Sequence, residues 1–88
     1  MKLNGEFIVR PVLDDIVAIP VGETALRFNG MIMLNDVSHV IWQCLQADTE
    51  LDDIVRGVTE TFEVSESEAR ADIMEFLDKL RKVQLLEE

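Results

Sequence analysis

Tyrosine is absent from this 88-residue chain, and histidine, cysteine and tryptophan occur once each, as His39, Cys44 and Trp42. A lone cysteine excludes an internal disulfide framework and any zinc site built on paired cysteines. A lone histidine leaves little for acid–base or nucleophilic catalysis, which needs several groups converging on one point. Long apolar runs are missing as well. The longest, Ile16 to Val21, is far short of the about 20 residues that cross a bilayer. Met1-Lys2-Leu3-Asn4-Gly5-Glu6 has no apolar stretch of the kind a signal peptide carries, so a cytoplasmic protein without a membrane partner is expected. Positive charge is scarce: 8 Lys and Arg face 18 Asp and Glu, a net −10 at pH 7. Such a field repels phosphate backbones over about 8–10 Å in ordinary salt, and a nucleic-acid partner is not expected.

What is present supports one core. Hydrophobic residues make up 48% of the chain, which predicts a single domain over residues 1–88. A domain of this size buries about 60–65% of its unfolded surface, enough for a modest core without a deep lidded cleft. The chain divides into halves of different texture. Up to about Leu34 it is rich in β-branched residues and holds both prolines. Phe7-Ile8-Val9-Arg10 and Ile16-Val17-Ala18-Ile19, separated by Asp14-Asp15, predict a strand, a turn and a strand. Pro11 and Pro20 cannot donate to a ladder and mark strand ends or an edge. Met31-Ile32-Met33-Leu34 follows the turn-forming pair Asn29-Gly30 and predicts a third strand; Ala25-Leu26-Arg27-Phe28 fits either a strand or a loop.

From Asn35 the period becomes helical. Val37, Val40, Ile41, Cys44 and Leu45 form one apolar stripe behind an Asn35 N-cap. A second helix is expected to open at Thr49, with Asp52 completing a short-armed capping box and Leu51, Ile54, Val55, Val58 and Phe62 as its stripe. Gly57 weakens it by about 1 kcal/mol relative to alanine. Ser65 with Glu68 is a capping box opening a third helix that runs to about Lys82. Its buried face is Ala69, Ile73, Phe76, Leu77 and Leu80, and Lys79, Arg81 and Lys82 complement its dipole. A three-stranded antiparallel sheet followed by three helices describes a winged-helix-like α+β domain.

No constellation for chemistry emerges. His39 lies at the margin of its stripe, and Cys44, five positions on, does not share its face. Asp14-Asp15 and Asp52-Asp53 are adjacent pairs whose side chains diverge, and neither has the alternating oxygen ligands and central glycine of a calcium loop. No catalytic residue, metal or cofactor is therefore expected. A DNA-reading third helix would carry four basic side chains against five acidic ones between Ser65 and Lys82, with three of the acids in the half that would meet base edges. Recognition of a peptide or protein remains. A third strand at the sheet edge offers unpaired N–H and C=O groups to an added strand, and the same edge admits a symmetric homodimer. Met74, on a flank shared with Arg70, Leu77 and Arg81, suits a groove for varied apolar side chains. The competing reading is an acidic winged-helix adaptor that binds another protein or DNA.

Gly30-Met31-Ile32-Met33-Leu34-Asn35 followed by Val37-Ser38-His39-Val40-Ile41-Trp42 resembles the strand, Leu-Asn, helix-with-Ile-Trp signature of the PqqD family. Ala71 to Leu80 is similar to that family's third helix, and Thr49 also fits; the likeness runs from about Phe7 to Leu86. It implies a RiPP recognition element, a non-catalytic module that binds the leader of a ribosomally made precursor peptide. The leader is expected to add to the third strand, in a groove closed by the third helix, and to be presented to a radical S-adenosylmethionine maturase with a SPASM extension. Carried over by position, the strand contacts fall on Gly30, Met31, Ile32, Met33 and Leu34, and the helix wall on Arg70, Ile73, Met74, Leu77 and Arg81. Gln84 departs from the pattern where the family often has glycine, which loosens the expected cap of the last helix.

Overall fold

The computed structural model describes all residues, Met1–Glu88. The order is β1 (Lys2–Leu3), β2 (Phe7–Val12), β3 (Asp15–Pro20), α1 (Thr24–Arg27), β4 (Ile32–Leu34), α2 (Asp36–Cys44), α3 (Leu51–Thr61), α4 (Glu66–Lys82) and β5 (Leu86–Glu87). Strands β2, β3 and β4 form an antiparallel sheet in that order, and β1 pairs with β5 in a separate two-stranded ribbon. This is an α+β fold with the expected sheet and three main helices. The ribbon and α1 are additions that sequence pattern did not reveal.

Local chemistry explains each element. The β2–β3 hairpin closes through Leu13 and Asp14, with Val12 opposite Asp15. The segment left open between strand and loop is the single turn α1. Its Thr24 is buried, and the Thr24 Oγ1 accepts the Glu6 N–H at 2.7 Å, pinning the crossover to the start of β2. Four residues are too few for helical periodicity to register. At α2, the Asn35 Oδ1 accepts the Ser38 N–H while the Ser38 Oγ accepts the Asn35 N–H, each at 2.8 Å. At α4, the Ser65 Oγ accepts the Glu68 N–H at 3.1 Å. The cap expected at Thr49 is displaced by one residue: Glu50 is the N-cap of α3 and caps with no side chain. The Thr49 N–H instead donates to the Met1 carbonyl at 2.8 Å, and Asp52 and Asp53 supply charge in the first turn.

The core sits where the inner face of the sheet meets the helices. Ala18 and Leu34 pack with Ile41, Trp42 and Leu45 of the α2 segment, Ile54, Val55 and Val58 of α3, and Ala69, Ile73, Leu77 and Leu80 of α4. Each fully buried Leu or Ile contributes about 1.5–3 kcal/mol relative to exposure. Phe7 bridges sheet and helices, edge-to-face with Trp42 at 5.1 Å and with Phe28 at 6.0 Å between ring centroids. No helix is long and apolar enough to cross a membrane.

Candidate peptide-binding groove

Two strands, β2 and β4, lie at the edges of the main sheet, and they are not equivalent. A two-residue hairpin closes on a hydrogen-bonded pair, here Val12 and Asp15, and antiparallel pairs alternate along the ladder. Pro11, which has no N–H, falls opposite Ile16 at a non-hydrogen-bonded position. The same alternation holds at the far end, where the Val21 N–H donates to the Glu6 carbonyl at 3.0 Å. The outward groups of β2 thus belong to Phe7, Val9 and Pro11, and the proline interrupts that edge. Carried across β3, the alternation makes Ile16–Leu34 and Ala18–Ile32 the bonded pairs with β4. Met33, opposite Val17, then turns its N–H and C=O away from the sheet. No proline blunts β4.

A groove of about 500 Å³ runs beside this free edge. Met31, Ile32 and Met33 form one side, Asn35 the turn into α2, Val37, Ser38 and Ile41 of α2 the next stretch, and Phe28 an end wall. Asp72, Glu75, Phe76, Lys79, Leu80 and Val83 supply the α4 side. Nine of the fourteen lining residues are hydrophobic, which suits apolar side chains better than a charged small molecule. Met31 and Met33 are 63% and 59% exposed, and their unbranched thioethers adapt to varied partners. The reciprocal Asn35–Ser38 cap fixes the angle between β4 and α2, so the Leu-Asn element positions the groove mouth. Phe28 is held through Phe7 and Trp42, which ties the end wall to the core. Gly30 has φ of 124°, and a Cβ there would meet nothing within 4 Å. Its glycine meets a backbone requirement, not a spatial one.

On the strand side, Met31, Ile32 and Met33 line the groove; Gly30 and Leu34 flank them, Leu34 turned into the core. The residues expected on the helix wall lie elsewhere on α4. Arg70, Ile73, Met74, Leu77 and Arg81 are not among the groove residues. Ile73 and Leu77 are fully buried. Arg70 turns toward α3, where its guanidinium pairs with Asp52 at 2.8 Å and Glu66 at 3.0 Å. Arg81 pairs with Asp78 at 2.7 Å and Glu88 at 2.8 Å. Met74 is 40% exposed on the far flank. The helix uses the Ile73–Leu77 line for the core, which leaves the Asp72–Phe76–Lys79–Val83 flank facing β4. Phe76, counted with the buried face, is only partly buried. Val83, an apolar side chain beyond the last turn and 46% exposed, was the other legible sign of this flank.

Charges around α4 are mostly self-satisfied. Hydrogen bonds donated to Asp52 and then Glu66 hold the Arg70 guanidinium in its protonated form, and those donated to Glu88, then Asp78, do the same for Arg81. A polar hollow between α3 and α4 is lined by the Arg70, Asp52 and Glu66 network. His39 lies outside the groove lining. Burial, aided by the nearby Asp53 charge, pushes the Cys44 thiol up, away from the thiolate a nucleophile requires. No three His, Cys, Asp or Glu side chains gather in a way that could hold a metal ion.

A family model described as coenzyme PQQ synthesis protein D (PqqD) matches residues 12–86. Among solved structures, the chain is similar to TbiB1 in complex with the TbiA(beta) leader peptide. The TM-score is 0.73 and the identity 22%, over 99% of this chain and 95% of that chain, a likeness of fold. Comparison with curated protein sequences found no match.

Proposed function

This chain belongs to the PqqD family, and from that premise we propose that it is a non-catalytic RiPP recognition element. It binds the leader of a ribosomally made precursor peptide and presents the core to a radical S-adenosylmethionine maturase with a SPASM extension, in the cytoplasm. The observation that carries this reading is the unblocked β4 edge running along a mostly apolar groove. An extended leader hydrogen-bonds to the outward N–H and C=O of Met33 and lies along the strand between Gly30 and Leu34, against Met31, Ile32 and Met33. Alternate side chains enter between the strand and the Phe76–Val83 flank of α4. The solved complex of similar fold, TbiB1 with its leader peptide, supports the same class of occupant.

Ordering the leader costs conformational entropy, so affinity rests on a few buried anchors. Holding the leader on the module raises the effective concentration of the core at the maturase. Titration of isotope-labelled protein with the leader encoded beside its gene tests the reading. Amide shifts should concentrate at Met31–Leu34 and at Phe76–Val83. A leader that leaves both segments unmoved at millimolar concentration sinks the proposal.

A further inference from the structure

The charges lining the groove specify more than an apolar occupant. On α4 the groove flank carries two carboxylates, Asp72 and Glu75, and one ammonium, Lys79. Glu75 is answered by Lys79, whose Nζ lies 3.6 Å from the Glu75 Oε1. Asp72 has no ion-pair or hydrogen-bond partner. Nor can its own helix supply one. The residues three and four positions away are Glu68, Ala69, Glu75 and Phe76, none of them cationic. The two arginines of α4, Arg70 and Arg81, are committed to carboxylates outside the groove.

Length sets what fits alongside. From Asp72 to Val83 the flank rises about 16 Å at the pitch of an α-helix, which matches about five residues of extended chain. Side chains on one face of such a strand alternate, so about three enter the groove. The middle and far positions meet Phe76, Leu80 and Val83, while the remaining end meets Asp72.

Resting on the leader-binding reading, we infer that the occupant is a cationic-ended segment. It has apolar side chains at alternate positions in a stretch of about five residues, and a lysine or arginine at the end lying against Asp72. Charge complementarity with the one unanswered carboxylate of the groove sets the register of the added strand, which backbone hydrogen bonds alone leave free to slip by two residues.

Selection of displayed random decapeptides on the immobilised full chain, and on its Asp72→Asn and Asp72→Lys variants, tests the inference. Asp72 is exposed and unpaired, so each variant should keep the fold, and a circular dichroism spectrum of each checks this before its selection is read. The unaltered chain should enrich alternating apolar residues with Lys or Arg at a fixed distance beyond them, by about two- to fivefold at that position. Asp72→Asn should erase the basic preference, and Asp72→Lys should replace it with Asp or Glu, the apolar spacing unchanged in both. Apolar spacing enriched without the basic position, or a basic position indifferent to both substitutions, overturns this inference and leaves leader binding standing. Absence of alternating apolar enrichment on all three proteins overturns the leader-binding reading itself.

Discussion

At the scale of single residues, the end of α4 shows how a departure from pattern is absorbed. Gln84 has φ of 61°, a left-handed conformation that disfavours a side chain. The Gln84 N–H donates to the Arg81 carbonyl at 3.0 Å and the Leu85 N–H to the Leu80 carbonyl at 2.9 Å, the bonding of a Schellman cap. Leu80 and Leu85 are both buried, supplying its apolar contact. The cap expected to be loose is therefore complete, with glutamine bearing a conformational cost. Gln84→Gly should raise stability by about 1 kcal/mol, read as a shift in the denaturant midpoint with an unchanged slope. The Asn4 side chain bonds only the backbone carbonyl of Gln84, so that contact survives. Cys44 is a second residue-scale case. Its raised thiol pKa, from burial first and the Asp53 charge second, means that thiolate forms only at higher pH than in a free thiol. Modification by a disulfide reagent at pH 8 should run several-fold slower than for a small free thiol.

At the scale of elements, the strands and helices of the main framework were legible because their hydrophobic periods and cap residues agree locally. Asn35 and Ser65 cap where polar oxygens precede apolar stripes. The ribbon β1–β5 was not legible, since two-residue strands carry no period and their pairing joins positions more than eighty residues apart. The groove flank of α4 was not legible for a different reason. On one helix, residues facing a core and residues facing a groove share the same apolar chemistry. Only the position of the neighbouring strand assigns the Ile73–Leu77 line to the interior and the Phe76–Val83 flank to the opening.

Variants discriminate the two assignments. Phe76→Ala should weaken leader binding by about tenfold or more, whereas Met74→Ala should change the Kd by less than about twofold. Met33→Pro should abolish strand addition while keeping the β3–β4 ladder, because the lost N–H faces outward. A circular dichroism spectrum like that of the unaltered chain, with leader affinity retained, would show that the strand does not add at Met33. The ribbon gives a pH prediction. The Arg81 side chain, by its hydrogen bonds, holds the Glu88 carboxyl below its ordinary range. A depressed folded pKa stabilises above the unfolded value, and that contribution is lost as pH falls through the folded value. Amide protection in the β1–β5 ribbon should therefore fail at acidic pH before that of the β2–β3 hairpin.

At the scale of the whole molecule, charge and groove work on different rate constants. A net charge of −10 on 88 residues surrounds a groove whose one unanswered ionic group is also negative. A cationic leader is drawn toward the protein from a distance set by the screening length, while its release depends on apolar anchors and backbone hydrogen bonds at contact range. These anchors are short-ranged, so salt reaches the first process and largely spares the second. Between about 10 mM and about 1 M salt the screening length falls from about 30 Å to about 3 Å. Stopped-flow association should slow by about tenfold or more over that range, with dissociation rising far less, through the exposed Asp72 contact alone. The same edge admits a symmetric dimer, but two copies of so acidic a protein repel each other where a basic leader is attracted. Raising salt should thus favour self-association as it slows leader capture. Sedimentation velocity across the same salt series, with and without leader, separates the two. Dimer that grows with salt and dissolves on leader addition fits one shared edge, and dimer that persists with leader bound places self-association on another face.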